Sequence, residues 1–474
     1  MKRRKSPAEN PWVAVDTGGT FTDFYLLTQE GFRIHKVLST PQDPSRAIRK
    51  GLKELGLKKN FQIVHGSTVA TNAFLERKGA RVALITTAGF EDLLEIGRQN
   101  RPALYELCAK RNEPLVPSKR RYGVLERIGV DGKVLIPLTA AHVAKLVKRL
   151  GKGSVDAVAV CLLSSYANPR HEEFLRRRLQ PLGKFLSLSS EVCPEYREYE
   201  RTSTVCINAY VTPVMAHYLD RLQNKVRRKI RVMQSNGGSL SIREASRAAI
   251  RTLLSGPAGG ALGAFDKARR AGRTKVLSLD MGGTSTDMSL MDGEIELTSE
   301  GNLGGMPVKT PMIRIDTIGA GGGSIAWIDE GGALRVGPQS AGARPGPVCY
   351  GMGGERITVT DAHVFLGRIP PKNFLGGAMK LHEKKIHGPL AALAKKLKLS
   401  REETADGILA VANANMARAL RVLSLERGYD PRNFTLVPFG GAGALHACEL
   451  AAMLGIPQVL VPSHPGILSA YGMA

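Results

Sequence analysis

At 474 residues with 43% hydrophobic content, the chain is long enough for two or three packed domains, and its 52 glycines cluster beside apolar runs, which excludes a collagenous or low-complexity protein. Six cysteines (Cys108, Cys161, Cys193, Cys206, Cys349, Cys448) without a C-x-x-C pair read as reduced, mostly structural thiols. The formal net charge of +25 invites a nucleic-acid reading, but the basic residues form short separate runs (2–5, 119–121, 176–178, 227–231) with no interleaved aromatics or recognition motif, so nucleic-acid binding is disfavoured.

The basic start is followed by Pro, Glu and Asn where a signal peptide needs an apolar stretch, and no uninterrupted apolar run approaches the roughly 20 residues of a membrane span. The expectation is a cytoplasmic protein with no membrane partner. Residues 12–15 predict a short strand, which leads into Asp16-Thr17-Gly18-Gly19-Thr20-Phe21-Thr22-Asp23 and the apolar run 24–27. A glycine turn at Glu30-Gly31 then opens a third strand over 32–37. Helical periodicity over 139–150 and 171–179 flanks a buried strand at 155–163, which is α/β patterning.

The N-terminal plan returns later. A strand at 276–279 runs into Asp280-Met281-Gly282-Gly283-Thr284-Ser285-Thr286-Asp287, then the run 288–291, the turn Asp292-Gly293 and a third strand at 294–298. Six of the eight loop positions match the first copy, and a strand flanks each copy on both sides, so the chain reads as duplicated, with two lobes each led by a β-meander. The stretch 301–354, dense in glycine and proline, reads as ordered loops over the second lobe. A long amphipathic helix is expected over 401–427, with Ile408, Val411, Ala412, Met416, Ala419 and Leu423 on one face and Gly428 as its stop. A strand at 434–439, the turn Gly440-Gly441-Ala442-Gly443, a helix at 446–454 and a strand at 459–461 follow.

The two D-x-G-G-T-x-T-D loops carry the strongest chemistry. A glycine pair in a tight strand-to-strand turn lets backbone N–H groups approach an anion, and the threonine hydroxyls add donors. An ionised Asp16 or Asp280 beside a phosphate chain stays charged only near a cation, most simply hydrated Mg²⁺. Gly440 to Gly443, between a strand and a helix, offers free helical N–H groups and room for a flat ring. Hairpin, hairpin, then glycine turn is the order in which actin-like ATPases and sugar kinases present two phosphate sites and an adenosine site. The fold class expected is therefore α/β, an actin-like (ribonuclease H-like) duplicated ATPase fold with two lobes around a nucleotide cleft.

The segments His65-Gly66-Ser67-Thr68-Val69-Ala70-Thr71-Asn72-Ala73, Gly97-Arg98-Gln99, Ser235-Asn236-Gly237-Gly238, Ser255-Gly256-Pro257-Ala258-Gly259-Gly260, Asp316-Thr317-Ile318-Gly319-Ala320-Gly321-Gly322-Gly323-Ser324 and residues 439–447 resemble the ATP-dependent hydantoinase A, 5-oxoprolinase and acetone carboxylase family across nearly the whole chain. The resemblance implies a lobe at 11–200 and a hydantoinase A-type domain at 201–474. It implies ATP-driven phosphorylation of a cyclic-amide carbonyl, in a hydantoin, 5-oxoproline or related lactam, with ATP and Mg²⁺ as cofactors. The implied partner is a large hydantoinase B-type subunit, with a separately encoded C-terminal module as a further expectation, because related subunits continue beyond the stretch around residue 470. On this reading Asp16, Asp280 and His65 are catalytic, and Asp16 and Asp280 hold Mg²⁺ through water. Thr17, Gly18, Gly19, Thr20, Gly282, Gly283, Thr284, Gly440, Gly441, Ala442 and Gly443 bind ATP, and Thr68, Asn72 and Arg98 face the substrate.

Other readings stand beside these. His65, at a strand end, is as readily a hydrogen-bonded packing residue, and His446 a helix cap. Asp361 and His363 make a weak metal site, a capping role for Asp361 being favoured, and Cys349 has no paired base that would make it a nucleophile. Arg344 stands where family members carry Asp, and Ala444 where they carry Pro. A ketone carboxylase subunit, a small-molecule kinase on the same fold and an ATP-dependent regulatory or nucleic-acid-binding protein are the alternatives.

Overall fold

The computed structural model describes residues 11–19, 21–40, 42–57, 61–100, 113–377 and 379–474. Thr20, Cys108 and the basic run 2–5 lie outside them. The chain divides into two compact units that interleave in sequence. One is built from Gln42–Ser255 and Leu297–Met312, and the other from Val13–Pro41, Gly256–Glu296 and Ile313–Ala474. The first meander thus belongs with the C-terminal part of the chain, not with the residues that follow it up to 200.

In the first unit, a parallel sheet runs in the order Phe185–Leu188, Ala157–Cys161, Val82–Thr87, Arg121–Val124. Its strands are near-continuous apolar runs because both faces are covered. Ile85, Val158, Val160 and Leu162 pack with Val143, Leu146 and Leu150 of the helix Ala140–Lys152 and with Leu175 and Leu179 of the helix Arg170–Leu179. Thr139 caps the first of these helices, accepting from the His142 amide. A second group pairs Gln62–Ser67 in parallel with Ile230–Met233, which is antiparallel to Ser239–Ser241. The helix Glu198–Val226 lies buried through most of its first half.

In the second unit, Trp12–Thr17, Phe21–Thr28 and Gly31–Leu38 form the first meander. Around the second hairpin, Lys275–Met281 pairs antiparallel with Thr286–Asp292 and parallel with Thr435–Gly440. The helix Arg401–Ser424 starts at a Ser400–Glu403 capping box and buries Ile408, Ala412, Met416, Leu420 and Leu423 against Leu277, Leu279 and Met288. Val411 and Ala419 pack at the margin of that core. Residues 401–427 reach the length and mean hydropathy of a membrane span, but half of that stretch is buried in the protein. Gly428, left-handed at φ +82°, ends the run as expected.

Two local expectations are corrected. The third strand of the second meander is not 294–298: Asp316–Ile318 pairs with Thr286–Asp292 instead, and residues near 295 contribute a single bridge to Met291. The stretch 301–354 is not simply loops. Met306–Ile313 pairs with Leu297–Leu303, and Ser324–Ile328 pairs with Leu334–Ser340. The glycines that suggested loops sit in the connections, as at Gly304 and Gly332 with φ +55° and +82°.

Candidate phosphate and carboxylate site

Both glycine hairpins lie in the second unit, and both close with the same bond. The Gly18 amide donates to the Phe21 carbonyl at 2.9 Å, and the Gly282 amide to the Ser285 carbonyl at 3.0 Å. In each loop the first glycine faces that closing carbonyl, at 3.3 Å from a notional Cβ on Gly18 and 3.8 Å on Gly282. The second glycine, Gly19 or Gly283, has no protein atom within 4 Å of where a Cβ would stand. The duplicated sequence therefore makes duplicated geometry, with the tip of each turn open.

The supports of the two turns differ. Ser39 Oγ donates to the Gly18 carbonyl at 2.8 Å. The second turn is backed by the glycine run at 321–323: the Gly322 amide donates to Gly282 O at 3.0 Å and the Gly323 amide to Gly283 O at 2.7 Å. A Cβ on Gly321 would lie 2.7 Å from the Gly283 carbonyl carbon, so only glycine permits this approach. Gly322 O in turn accepts from the amide and hydroxyl of Thr360, both at 2.7 Å, in the helix Val359–Phe365.

Four carboxylates gather around these turns. Asp280 and Asp287 face each other across the second hairpin. Asp23 is ion-paired to Lys36 at 2.5 Å, while Asp287 accepts from the Thr317 hydroxyl, also at 2.5 Å. Burial, aided by Asp23 and opposed by Lys36, pushes Asp16 up to about 7. Burial together with repulsion from Asp287, Asp16 and Asp23 drives Asp280 well above the carboxylate range. Asp16 Oδ1 is buried without a hydrogen-bond partner. An orphaned acceptor amid mutually repelling carboxylates is the environment a hydrated divalent cation satisfies. Among the described residues, no group of three or more His, Cys, Asp or Glu is placed to hold a metal ion by itself.

Two further elements close on these aspartates. The helix Ser255–Arg270 brings Gly256 so near that a Cβ there would stand 3.5 Å from Asp16 Oδ1. Its Gly259 and Gly263 pack against backbone carbonyls of Ser469 and Leu468, which explains the small residues of that motif. Gly440, at φ +79°, would place a Cβ 2.3 Å from Asp280 Oδ1 and 2.7 Å from Met281 O. Ala442 donates its amide to Met281 O at 3.0 Å and starts the helix Gly443–Leu454, while Gly441 is exposed and unobstructed. Thr17 is buried and Thr284 exposed.

The residues expected to face substrate belong to the first unit. His65 has no solvent exposure, and its Nε2 lies 2.6 Å from the Tyr218 hydroxyl, the geometry of the packing alternative. Thr68 precedes the helix Val69–Leu75 and accepts from Asn72 Nδ2 at 3.2 Å. Arg98 is exposed and holds Glu200 with two nitrogens, at 2.8 and 2.6 Å. Asp361 is a capping residue as favoured: it joins Thr358 in a capping box and accepts from the Val348 and Cys349 amides at 3.2 and 2.8 Å. Cys349 is fully buried, and burial pushes its thiol up, away from nucleophilic use. His446 does not cap its helix. It is buried, with Nδ1 2.6 Å from Asn413 Oδ1 and Nε2 3.1 Å from His363 Nε2. All five described cysteines are free, and four of them are buried.

Sequence reading missed Gly256, the 321–323 run and Thr360 as parts of this site. The signal for the glycines was their glycine-rich motifs, whereas Thr360 stands in a stretch read only for Asp361 and His363.

The hydantoinase/oxoprolinase N-terminal region model matches residues 12–183, and the hydantoinase/oxoprolinase model matches 201–474. An uncharacterized protein of Methanocaldococcus jannaschii is 41% identical over 97% of this chain and 72% of its own length. Caprolactamase subunit alpha of Pseudomonas jessenii is 37% identical over 97% of this chain and 69% of its own length. The crystal structure of that ATP-dependent caprolactamase superposes with a TM-score of 0.85 at 36% identity, covering 98% of this chain and 70% of that one. Nucleotide-free acetone carboxylase superposes with a TM-score of 0.84 at 30% identity, covering 98% and 69%. With its duplicated glycine hairpins in an α/β fold and both family models matched in order along its length, the chain belongs to the hydantoinase/oxoprolinase family.

Proposed function

We propose that the chain is the ATP-using subunit of an enzyme that activates the carbonyl of a cyclic amide by phosphorylation. The observation that carries this reading is the pair of identically closed, open-tipped hairpins whose first aspartates are electrostatically coupled, in a chain similar over 97% of its length to a caprolactamase subunit. The open tips at Gly19 and Gly283 leave backbone N–H groups accessible to phosphate oxygens. Gly441, Ala442 and Gly443 flank the adenosine. Asp16 and Asp280 would hold Mg²⁺ through its waters, and a bound ion would supply charge neutralisation for the phosphates.

An amide carbonyl is a poor electrophile. Transfer of the γ-phosphoryl group to the amide oxygen makes the carbon electrophilic; water then adds at carbon, the ring nitrogen takes a proton and departs as the amine to leave an acyl phosphate, and a second water releases phosphate and the carboxylate. Asp16, poised near neutrality, is suited to taking a proton in this sequence. Thr68, Asn72 and Arg98 are proposed to orient the substrate, with His65 acting from behind through Tyr218. A hydantoinase B-type subunit would complete the reaction in the cytoplasm.

The similarity to acetone carboxylase favours ketone carboxylation as a second reading. The deciding experiment co-expresses the chain with its partner subunit and measures phosphate release with lactams, hydantoins, 5-oxoproline and ketones. Lactam- or hydantoin-dependent release with ring-opened product supports the first reading. Release that needs both a ketone and bicarbonate supports the second, and a stable phosphorylated product without hydrolysis would mean a kinase.

A further inference from the structure

The first unit carries a groove of about 930 Å³ at the C-terminal end of the helix Glu198–Val226, remote in sequence from both hairpins. Arg227, Arg228, Lys229 and Arg243 line it, and no carboxylate does so among the described residues. Arg228 is committed: its Nη1 donates to the Arg227 carbonyl at 3.0 Å and its guanidinium lies 5.5 Å over the Phe61 ring. Arg227, Lys229 and Arg243 are exposed, and their side chains make no hydrogen bond or ion pair with a described residue. Elsewhere this surface matches cations with acids, as in Arg81–Asp156, Arg176–Glu191 and Arg432–Asp430. Acids close in sequence to the lining residues are engaged: Glu244 closes the Ser241 capping box, and Asp220 accepts from Asn224.

We infer that this groove receives an acidic, extended segment of a partner polypeptide. Three unpaired cations around one concavity repel one another, and an anionic occupant removes that cost. The kind of anion follows from the donors. Compact phosphate sites use backbone N–H groups at helix N-termini. The long helix instead presents its C-terminus here, whose carbonyls disfavour a buried phosphate, and the capping box already occupies the start of the neighbouring short helix. What remains are long, flexible side chains over the apolar floor of Phe61 and Ile230, suited to carboxylates spaced along a chain whose stems cover that floor.

The test titrates the full chain with a fluorescein-labelled oligo-glutamate peptide, followed by anisotropy, with oligothymidylate of equal charge as competitor. The expected result is binding that weakens with salt and falls about tenfold or more in Lys229→Glu/Arg243→Glu, the combined effect of several exposed charge pairs. The matched reversal Lys395→Glu/Lys396→Glu, on an exposed helix of the other unit, should change it less than about twofold. Melting curves of both variants verify folding, and Lys229→Gln/Arg243→Gln repeats the test if reversal impairs it. Equal loss in the two reversals would mean diffuse attraction to net charge and overturn the inference. So would failure of the peptide to bind, or tighter groove-dependent binding of oligothymidylate, which would assign the groove to nucleic acid.

Discussion

Replacing Gly283 by Val separates ligand space from folding more cleanly than any other change in the hairpins. No protein atom lies within 4 Å of a Cβ at this position, and its backbone is not left-handed, so the side chain enters open space. The expected stability change is within about 0.5 kcal/mol, as for surface substitutions away from special features. If phosphate oxygens sit at that tip, the added methyl groups displace them. In the wild type, Mg-ATP at a hundredfold excess over its dissociation constant stabilises the fold by about 2.7 kcal/mol. An unfolding entropy near 2.1 cal/mol/K per residue, applied to 474 residues, converts this to a melting shift of about 3 °C. Differential scanning fluorimetry should show that shift in the wild type and lose most of it in Gly283→Val, with the ligand-free melting temperature unchanged. Gly440→Ala is the counter-case. Its left-handed φ and its clashes with Asp280 Oδ1 and Met281 O should cost about 2–5 kcal/mol before any ligand is added. A Gly283→Val protein that melts normally and keeps the full ATP shift would refute the placement of phosphate at the hairpin tips.

Asp16 and Asp280 yield opposite signs for stability and function. Because the folded protein holds the Asp16 proton up to about pH 7 while the unfolded chain releases it near 4, ligand-free stability is full below pH 4 and falls between pH 4 and 7. Asp16→Asn removes that loss and should raise ligand-free stability at pH 8 by about 1–2 kcal/mol, below the ceiling of about 4 because the residue as a whole is half-buried and solvent screens part of the effect. The same variant should abolish turnover; coincident melting-versus-pH curves for the two proteins would contradict the electrostatic reading. Asp280→Asn should likewise abolish turnover, and should raise the Mg²⁺ concentration needed for the ATP-dependent melting shift by tenfold or more. His363 and His446 are held neutral, at about 3 and 4, mainly by burial. Their stability contribution is therefore present above pH 6.5 and lost as pH falls toward 4. His446→Ala should cost about 2–4 kcal/mol by leaving Asn413 and His363 unpaired, measured by urea denaturation at pH 7.5.

Local patterns made much of this legible. The hairpin motif, the 401–427 helix with its glycine stop, and the strand-to-helix turn at Gly440 are each specified within about thirty consecutive residues. Features set by distant partners were not legible. Nothing near residue 294 shows that the third strand of the second meander would come from Asp316–Ile318. The glycines at 321–323 resembled loop composition because the reason for them, close approach to Gly282 and Gly283, lies some forty residues away. The same holds for Gly256 beside Asp16 and for the burial of His65 on Tyr218.

The two loops are nearly identical in sequence, yet the structure makes their aspartates unequal. In the first, the Lys36 ammonium offsets the charge of Asp23 and, through it, relieves Asp16. In the second, Asp287 accepts from the neutral Thr317 hydroxyl, and Asp280, raised first by burial, also bears the repulsion of three carboxylates. A group near pH 7 can exchange a proton at little cost, whereas one driven far higher becomes an anion only when a cation arrives. The duplicated hairpins thus provide two chemistries from one motif: proton transfer is proposed for Asp16 and ion capture chiefly for Asp280. The difference comes from a residue outside either loop, Lys36 on the adjoining strand, where the second hairpin is flanked instead by Asp316–Ile318.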